Sequence, residues 1–301
     1  KKGYIFADVN FVYPNSPAAK AGLKRGDLIT HMNGERMTTD NYTDLYYASQ
    51  LSLGLSNDET SEPYETKTLT AQTYAIDPVL DYGLIPLEHL TIGYMIYTDF
   101  VFRGNASLAQ LNHVFQTLKA ANIDEFILDL RYNQGGYIFA VKQLCSLLAL
   151  EEVVENEELL IHKKWNKAYQ ERYANDPDRL EEHFDNTVPL DSRLNLKRLW
   201  VITSHVTASA SEMLISALSP YMKVNVVGDL TMGKNMGGII YTPNDKDLQN
   251  WNIMLISTEY SNSREESVKG GIPPMFPILE QFHHQHQLGD QEEPLLAATL
   301  Q

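Results

Sequence analysis

The sequence predicts a mixed α/β protein, a small β-rich module followed by a larger α/β core. Two observations carry this. Up to about residue 80, short apolar runs are separated by turn residues, whereas from Leu90 onward strand-like and helix-like segments alternate, the pattern of a sheet covered by helices. At roughly 150 residues per domain, 301 residues make about two domains, each able to bury its own core.

In the module, residues 4–12 alternate in part and are broken by Pro14-Asn15-Ser16-Pro17. Residues 18–23 read as a one-turn helix ended by Gly22, and residues 26–29 open a strand that turns at Asn33-Gly34. Residues 56–65 form a polar, exposed loop, and Asp77-Pro78-Val79 marks the exit, giving a first domain over 1–80. The spacing of Ser16, Pro17, Ala18, Ala21, Gly22, Leu23, Gly26, Asp27 and Ile29 resembles the PDZ module. Only fifteen residues precede Ser16, so the resemblance implies a module cut on its N-terminal side. The competing reading is a β domain that only packs on its neighbour.

The second domain spans about 85–301. Strands are predicted over residues 91–97, 126–130, 199–203, 224–227 and 253–258, and helices over 107–121, 137–150 and 209–218. Residues 151–186 carry both charge signs together with Trp165, Tyr169 and Tyr173 and no clean apolar period; the expectation is a surface helical insertion, with a substrate-facing lid as the alternative.

Lys and Arg number 24 against 39 Asp and Glu, a net charge of -15, which repels phosphate backbones and anionic headgroups; nucleic acid is not an expected partner. No apolar window is long enough for a membrane span, and residues 1–4 carry no apolar signal core. The single cysteine, Cys145, lies on an apolar helical face and reads as core.

Three segments place small residues where a strand gives way to a loop or helix, the positions at which α/β sheets bind ligands. In Asp129-Leu130-Arg131-Tyr132-Asn133-Gln134-Gly135-Gly136, the amides of Gly135 and Gly136 are candidates to face a developing negative charge. Thr207-Ala208-Ser209-Ala210-Ser211-Glu212 offers a serine nucleophile, but Ser209 and Glu212 equally fit a capping box. Gly228-Asp229-Leu230-Thr231-Met232-Gly233-Lys234 nearly matches a phosphate loop, yet Asn235 stands where Ser or Thr is required and a turn and strand follow instead of a helix. Lys234 alone would read as a solvated surface lysine.

Together and in this order, the three segments closely resemble the tail-specific, or C-terminal processing, serine proteases, over nearly the whole chain. The resemblance implies a PDZ-like module before a crotonase-like α/β protease core. It implies Ser209 as nucleophile, Lys234 as general base 25 residues later, and an oxyanion hole made by the Ala210 amide with that of Gly135 or Gly136. A lysine of ordinary pKa ~10.4 is almost wholly protonated at pH 7, so the dyad requires a dry pocket that favours the neutral amine. The implied partners are unfolded or flexible proteins with apolar C-termini, laid against a sheet edge; no cofactor or metal is implied, and the implied location is the bacterial periplasm or envelope.

The chain also departs from the family. Where many relatives carry a Gln four residues after the lysine there is Gly238, where others carry an Asp there is Pro220, and Met275 replaces the Asp of a Gly-Ile-x-Pro-Asp segment. Glu212 and Asn235 are the candidates for the missing orienting group, each with an ordinary capping or turn role as the alternative. A catalytically silent relative that binds peptides or an apolar small ligand in the same groove is the rival function; a scaffold acting through its PDZ module is another. His205, four residues before Ser209, invites a Ser-His-Asp triad, and His283, His284 and His286 invite a metal, although a solvated polar tail accounts for them.

Overall fold

A computed structural model describes residues 3–101, 105–245, 247–248, 250–281 and 286–301. Two compact units emerge, one formed by Lys1–Leu80 with Glu280–Gln301 and one by Asp81–Leu279.

The first unit holds β1 (Ala7–Asp8), α1 (Pro17–Lys20), β2 (Leu28–Met32), β3 (Glu35–Arg36), α2 (Tyr42–Tyr46), β4 (Gln50–Ser56) and β5 (Glu65–Thr70). The strands run β1-β2-β4-β5 with β3 also on β2, all antiparallel. Helix α1 starts where Ser16 Oγ accepts the Ala19 N–H at 3.1 Å, with Pro17 in the first turn, where its missing N–H costs nothing. Asn33 and Gly34 have φ of 53° and 79°, the two positive values that a tight hairpin turn between β2 and β3 needs. Leu23, Ile29, Met32, Met37, Leu53 and Leu55 make the core. The strand expected over residues 4–12 shortens to Ala7–Asp8.

Chain order predicts a second domain running on to residue 301, but Glu280–Gln301 group with the first unit. The buried Arg25 guanidinium explains this: it reaches Glu280 at 2.6 Å, Glu293 at 3.7 Å and the His286 carbonyl at 3.1 Å.

In the second unit, one sheet runs β15-β12-β11-β8-β7-β6, from β6 (Val79–Pro86), β7 (Thr91–Tyr97), β8 (Glu125–Asp129), β11 (Arg198–Thr203), β12 (Lys223–Gly228) and β15 (Phe276–Pro277). Strands β7, β8, β11, β12 and β15 are parallel neighbours. Their crossovers contain α3 (Asn105–Ala120), α4 (Ile138–Leu148) and α8 (Ala210–Leu218). Phe115, Phe126, Leu128, Val141, Leu144 and Leu214 are buried.

A second sheet runs β10-β9-β14-β13, from β9 (Leu159–Trp165), β10 (Glu181–His183), β13 (Met236–Tyr241) and β14 (Ile253–Asn262). This corrects the expected helical insertion over 151–186: besides the short α5 (Glu151–Glu155), α6 (Lys167–Arg172) and α7 (Pro177–Leu180), the segment supplies two strands. Leu160 and Ile161 are fully buried, and β9 finds its partner β14 almost a hundred residues later, a pairing to which local periodicity is blind.

Candidate active site

The parallel register aligns the strand ends. Asp129 on β8 stands opposite Ile202 on β11, and Thr203 on β11 opposite Gly228 on β12, so the three segments leave adjacent strands at one edge. The serine turn after β11 is locked to the loop after β8: Ala208 donates its N–H to the Asn133 carbonyl at 3.1 Å, the Ser211 hydroxyl donates to the same oxygen at 3.0 Å, and the Thr207 hydroxyl donates to the Leu130 carbonyl at 2.9 Å. Ser209 is the residue before α8, half-buried, at φ 58° and ψ -113°. A β-carbon there costs on the order of 1–3 kcal/mol, a strain typical of serines presented on strand-to-helix turns.

Asn133, fully buried, shapes the glycine loop. Its Oδ1 accepts the Gly135 N–H at 2.9 Å and its Nδ2 donates to the Tyr97 carbonyl at 2.8 Å. Gly135 and Gly136 have φ of 103° and 147°, and a β-carbon on Gly135 would lie 2.8 Å from the Ala208 oxygen and the Ala210 nitrogen. The loop therefore abuts the serine turn only because it is glycine. As an oxyanion donor Gly135 is corrected: its N–H already serves Asn133. Among the described residues the N–H groups of Gly136 and Ala210 have no protein acceptor. Beneath the loop, Arg131 and Asp129 form a buried ion pair at 2.9 Å, and the Tyr94 hydroxyl donates to Asp129 at 2.8 Å.

Glu212, fully buried in the first turn of α8, joins the serine to the lysine. Its Oε2 accepts the Ser209 N–H at 2.9 Å and the Lys234 N–H at 2.8 Å; its Oε1 accepts the Thr231 hydroxyl and the Gly233 N–H, each at 2.5 Å. Two residues 25 apart in sequence thus share one carboxylate oxygen, and charge-assisted bonds of this kind are about twice as strong as neutral ones. Ser209 and Lys234 also line one narrow cleft, with Ile161, Met213, Asn235 and Tyr260. The dry pocket expected for Lys234 is a further correction: the residue is exposed, because its loop lies at the sheet edge. A neighbouring groove of about 890 Å³ shares Asn235 and Tyr260 and continues past Lys164, Trp165 and Glu259.

Gly238 has a structural reason to be glycine. A β-carbon there would sit 2.4 Å from the Leu255 oxygen, and one on Gly237 would sit 2.2 Å from the Tyr260 hydroxyl. Tyr260, which sequence reasoning missed because it lies on a different strand, fills that side of the cleft; burial, with Glu182 second, pushes its phenol up to about 12. Asn235 is buried and donates its side-chain amide to Ser267 at 3.1 Å.

His205 is exposed and approaches Asp229 at 4.0 Å, with no hydrogen bond to Ser209 among the described residues. His283 and His284 lie outside the described residues, while His286 bonds Asp290 at 3.0 Å. Cys145 is fully buried, and desolvation raises its thiol pKa, disfavouring the thiolate. No helix among the described residues is long and apolar enough to cross a membrane.

A solved structure from Bacteroides fragilis NCTC 9343, assigned as an S41 protease, matches 100% of this chain and 78% of its own length, with TM-score 0.82 and 27% identity. The photosystem II D1 C-terminal processing protease matches over 92% and 71%, with TM-score 0.54 and 19% identity, a likeness of fold. The fold is that of the S41 proteases. The model of peptidase family S41 matches residues 91–277 and that of the PDZ domain residues 9–51; the chain belongs to peptidase family S41. It is 28% identical to carboxyl-terminal-processing peptidase 2, chloroplastic, of Arabidopsis thaliana, over 89% of this chain and 49% of that protein. It is 27% identical to the carboxy-terminal processing protease CtpB of Bacillus subtilis (strain 168), over 74% and 42%. The chain spans under half the length of these curated relatives.

Proposed function

We propose that the chain is a serine endopeptidase acting on unfolded or flexible protein tails, with Ser209 as nucleophile and Lys234 as general base. The observation that supports this most is the Glu212 carboxylate, which holds the backbone of both residues on a single oxygen beside a common cleft. Ser209 Oγ attacks the peptide carbonyl and passes its proton to the Lys234 amine. The Gly136 and Ala210 amides receive the oxyanion, each such donor contributing about 10²- to 10³-fold to the rate. Lys234 returns the proton to the leaving amine, and water then hydrolyses the acyl-enzyme. Because Lys234 is exposed, the bound peptide must supply the exclusion of water that the neutral amine needs. The PDZ unit holds the apolar C-terminus of the substrate, and the work is done in a bacterial periplasm or envelope, as the family resemblance implies.

The same exposure of Lys234, with no side chain at Gly238, favours a second reading, a silent relative that binds peptides without cutting them. Incubation of an unfolded protein bearing an apolar C-terminus with wild type, Ser209→Ala and Lys234→Ala separates the two. Cleavage by wild type alone is the expected result; binding without cleavage by all three sinks the peptidase reading.

A further inference from the structure

Strand β14 pairs with β9 only over Thr258–Asn262, whereas its first residues, Ile253 to Ile256, pair only with Gly238 to Tyr241 of β13. Beyond β9 the sheet therefore narrows to a two-stranded ribbon. Its apolar side chains are open on both faces: on β14 the consecutive Ile253, Met254, Leu255 and Ile256 are all exposed, Ile256 at 63%, and across from them Ile240 is exposed at 62% and Tyr241 at 53%. Trp251, in the connection between the strands, is exposed at 68%. An isolated hairpin is marginal in water, and natural sheets guard their edges with charge, proline or bulges. No charged residue occurs in Met236–Tyr241 or in residues 253–257, and β13 is the outer strand of its sheet.

We propose that this ribbon is the dimer interface of the protein, pairing with the ribbon of a second copy along the β13 edge in a two-fold contact. Three features select a second copy. The chain carries a net charge of -15, so two copies repel over most of their surface, and the ribbon strands are an uncharged stretch on which they meet without that penalty. The seven apolar side chains just named are each about half exposed or more, a contiguous uncovered apolar surface of the kind that marks an interaction site. Among the described residues no strand pairs with the outer edge of β13 along Met236–Tyr241, and antiparallel pairing of one edge with its own copy is self-complementary, as a closed two-fold dimer requires. The inference does not depend on the peptidase reading.

Light scattering on the whole chain eluting from a sizing column at 1–100 μM tests it, with Ile240→Lys and Leu255→Lys, one on each face of the ribbon. Both positions are exposed, so circular dichroism of the variants should match wild type. The expected result is a wild-type dimer of twice the 34.2 kDa chain mass, and at least a tenfold weaker dimer in each variant. A wild type monomeric at 100 μM, a dimer undiminished by both substitutions, or an assembly larger than two overturns the proposal.

Discussion

Glu212 shows how much one residue can settle. Four donors from two loops converge on its carboxylate in a fully buried position, so the geometry of the proposed dyad depends on a side chain that does not itself reach the substrate. Glu212→Gln keeps the shape but turns one acceptor oxygen into a donor facing N–H or O–H groups. Each buried unsatisfied group costs about 1–3 kcal/mol, so we predict a loss of about 2 kcal/mol of stability, read by denaturant titration. In the peptidase assay kcat should fall at least about tenfold with KM little changed; the reverse split would place Glu212 in substrate binding. Tyr260 gives a pH test. Its phenol is pushed up to about 12 in the folded protein, against about 10 unfolded, so the stability it contributes is complete below pH ~10 and is lost as pH rises towards ~12. Tyr260→Phe should therefore lose less stability than wild type between pH 9 and 11; parallel losses would show that this phenol does not titrate as described.

At the scale of elements, the site was legible where chemistry is local and obscure where it depends on distant pairing. The glycine loop, the serine turn and the lysine loop each carry their own signature at a strand end, and the parallel sheet brings those ends together. Strand β9 was not legible, since its charged residues hide the buried Leu160 and Ile161 and its neighbour β14 comes from far along the chain. For the same reason neither Tyr260 nor the exposure of Lys234 could be read from spacing. Lys163 on β9 holds the second sheet locally: buried, it donates to Glu182 Oε1 on β10 and to the Asp178 carbonyl, each at 2.7 Å. Glu182→Ala leaves that ammonium without its counter-charge. Glu182 is partly exposed, so the penalty is below that of a wholly buried pair, and we predict about 2 kcal/mol, checked by thermal melts. A change under about 0.5 kcal/mol would mean that water replaces the partner.

The whole molecule is two units, and the last residues of the chain belong to the first. Chain order hid this, because Arg25 is joined to Glu280 and Glu293 by charge and not by any periodic pattern. Arg25→Met removes both pairings and leaves two carboxylates facing an apolar side chain. Calorimetry should then show the unfolding of the first unit moved down by several degrees while that of the second stays in place; a common shift of both would show that the units unfold as one.

The central claim is that Ser209 is a nucleophile activated by Lys234. Its most direct measurement is covalent labelling by a fluorophosphonate, read by intact mass and by mapping of the modified peptide, because it needs no knowledge of the natural substrate. The account predicts one adduct on Ser209 in wild type, none in Ser209→Ala, and labelling slowed at least about a hundredfold in Lys234→Ala. Labelling at another residue, or at equal rates with and without Lys234, would contradict it.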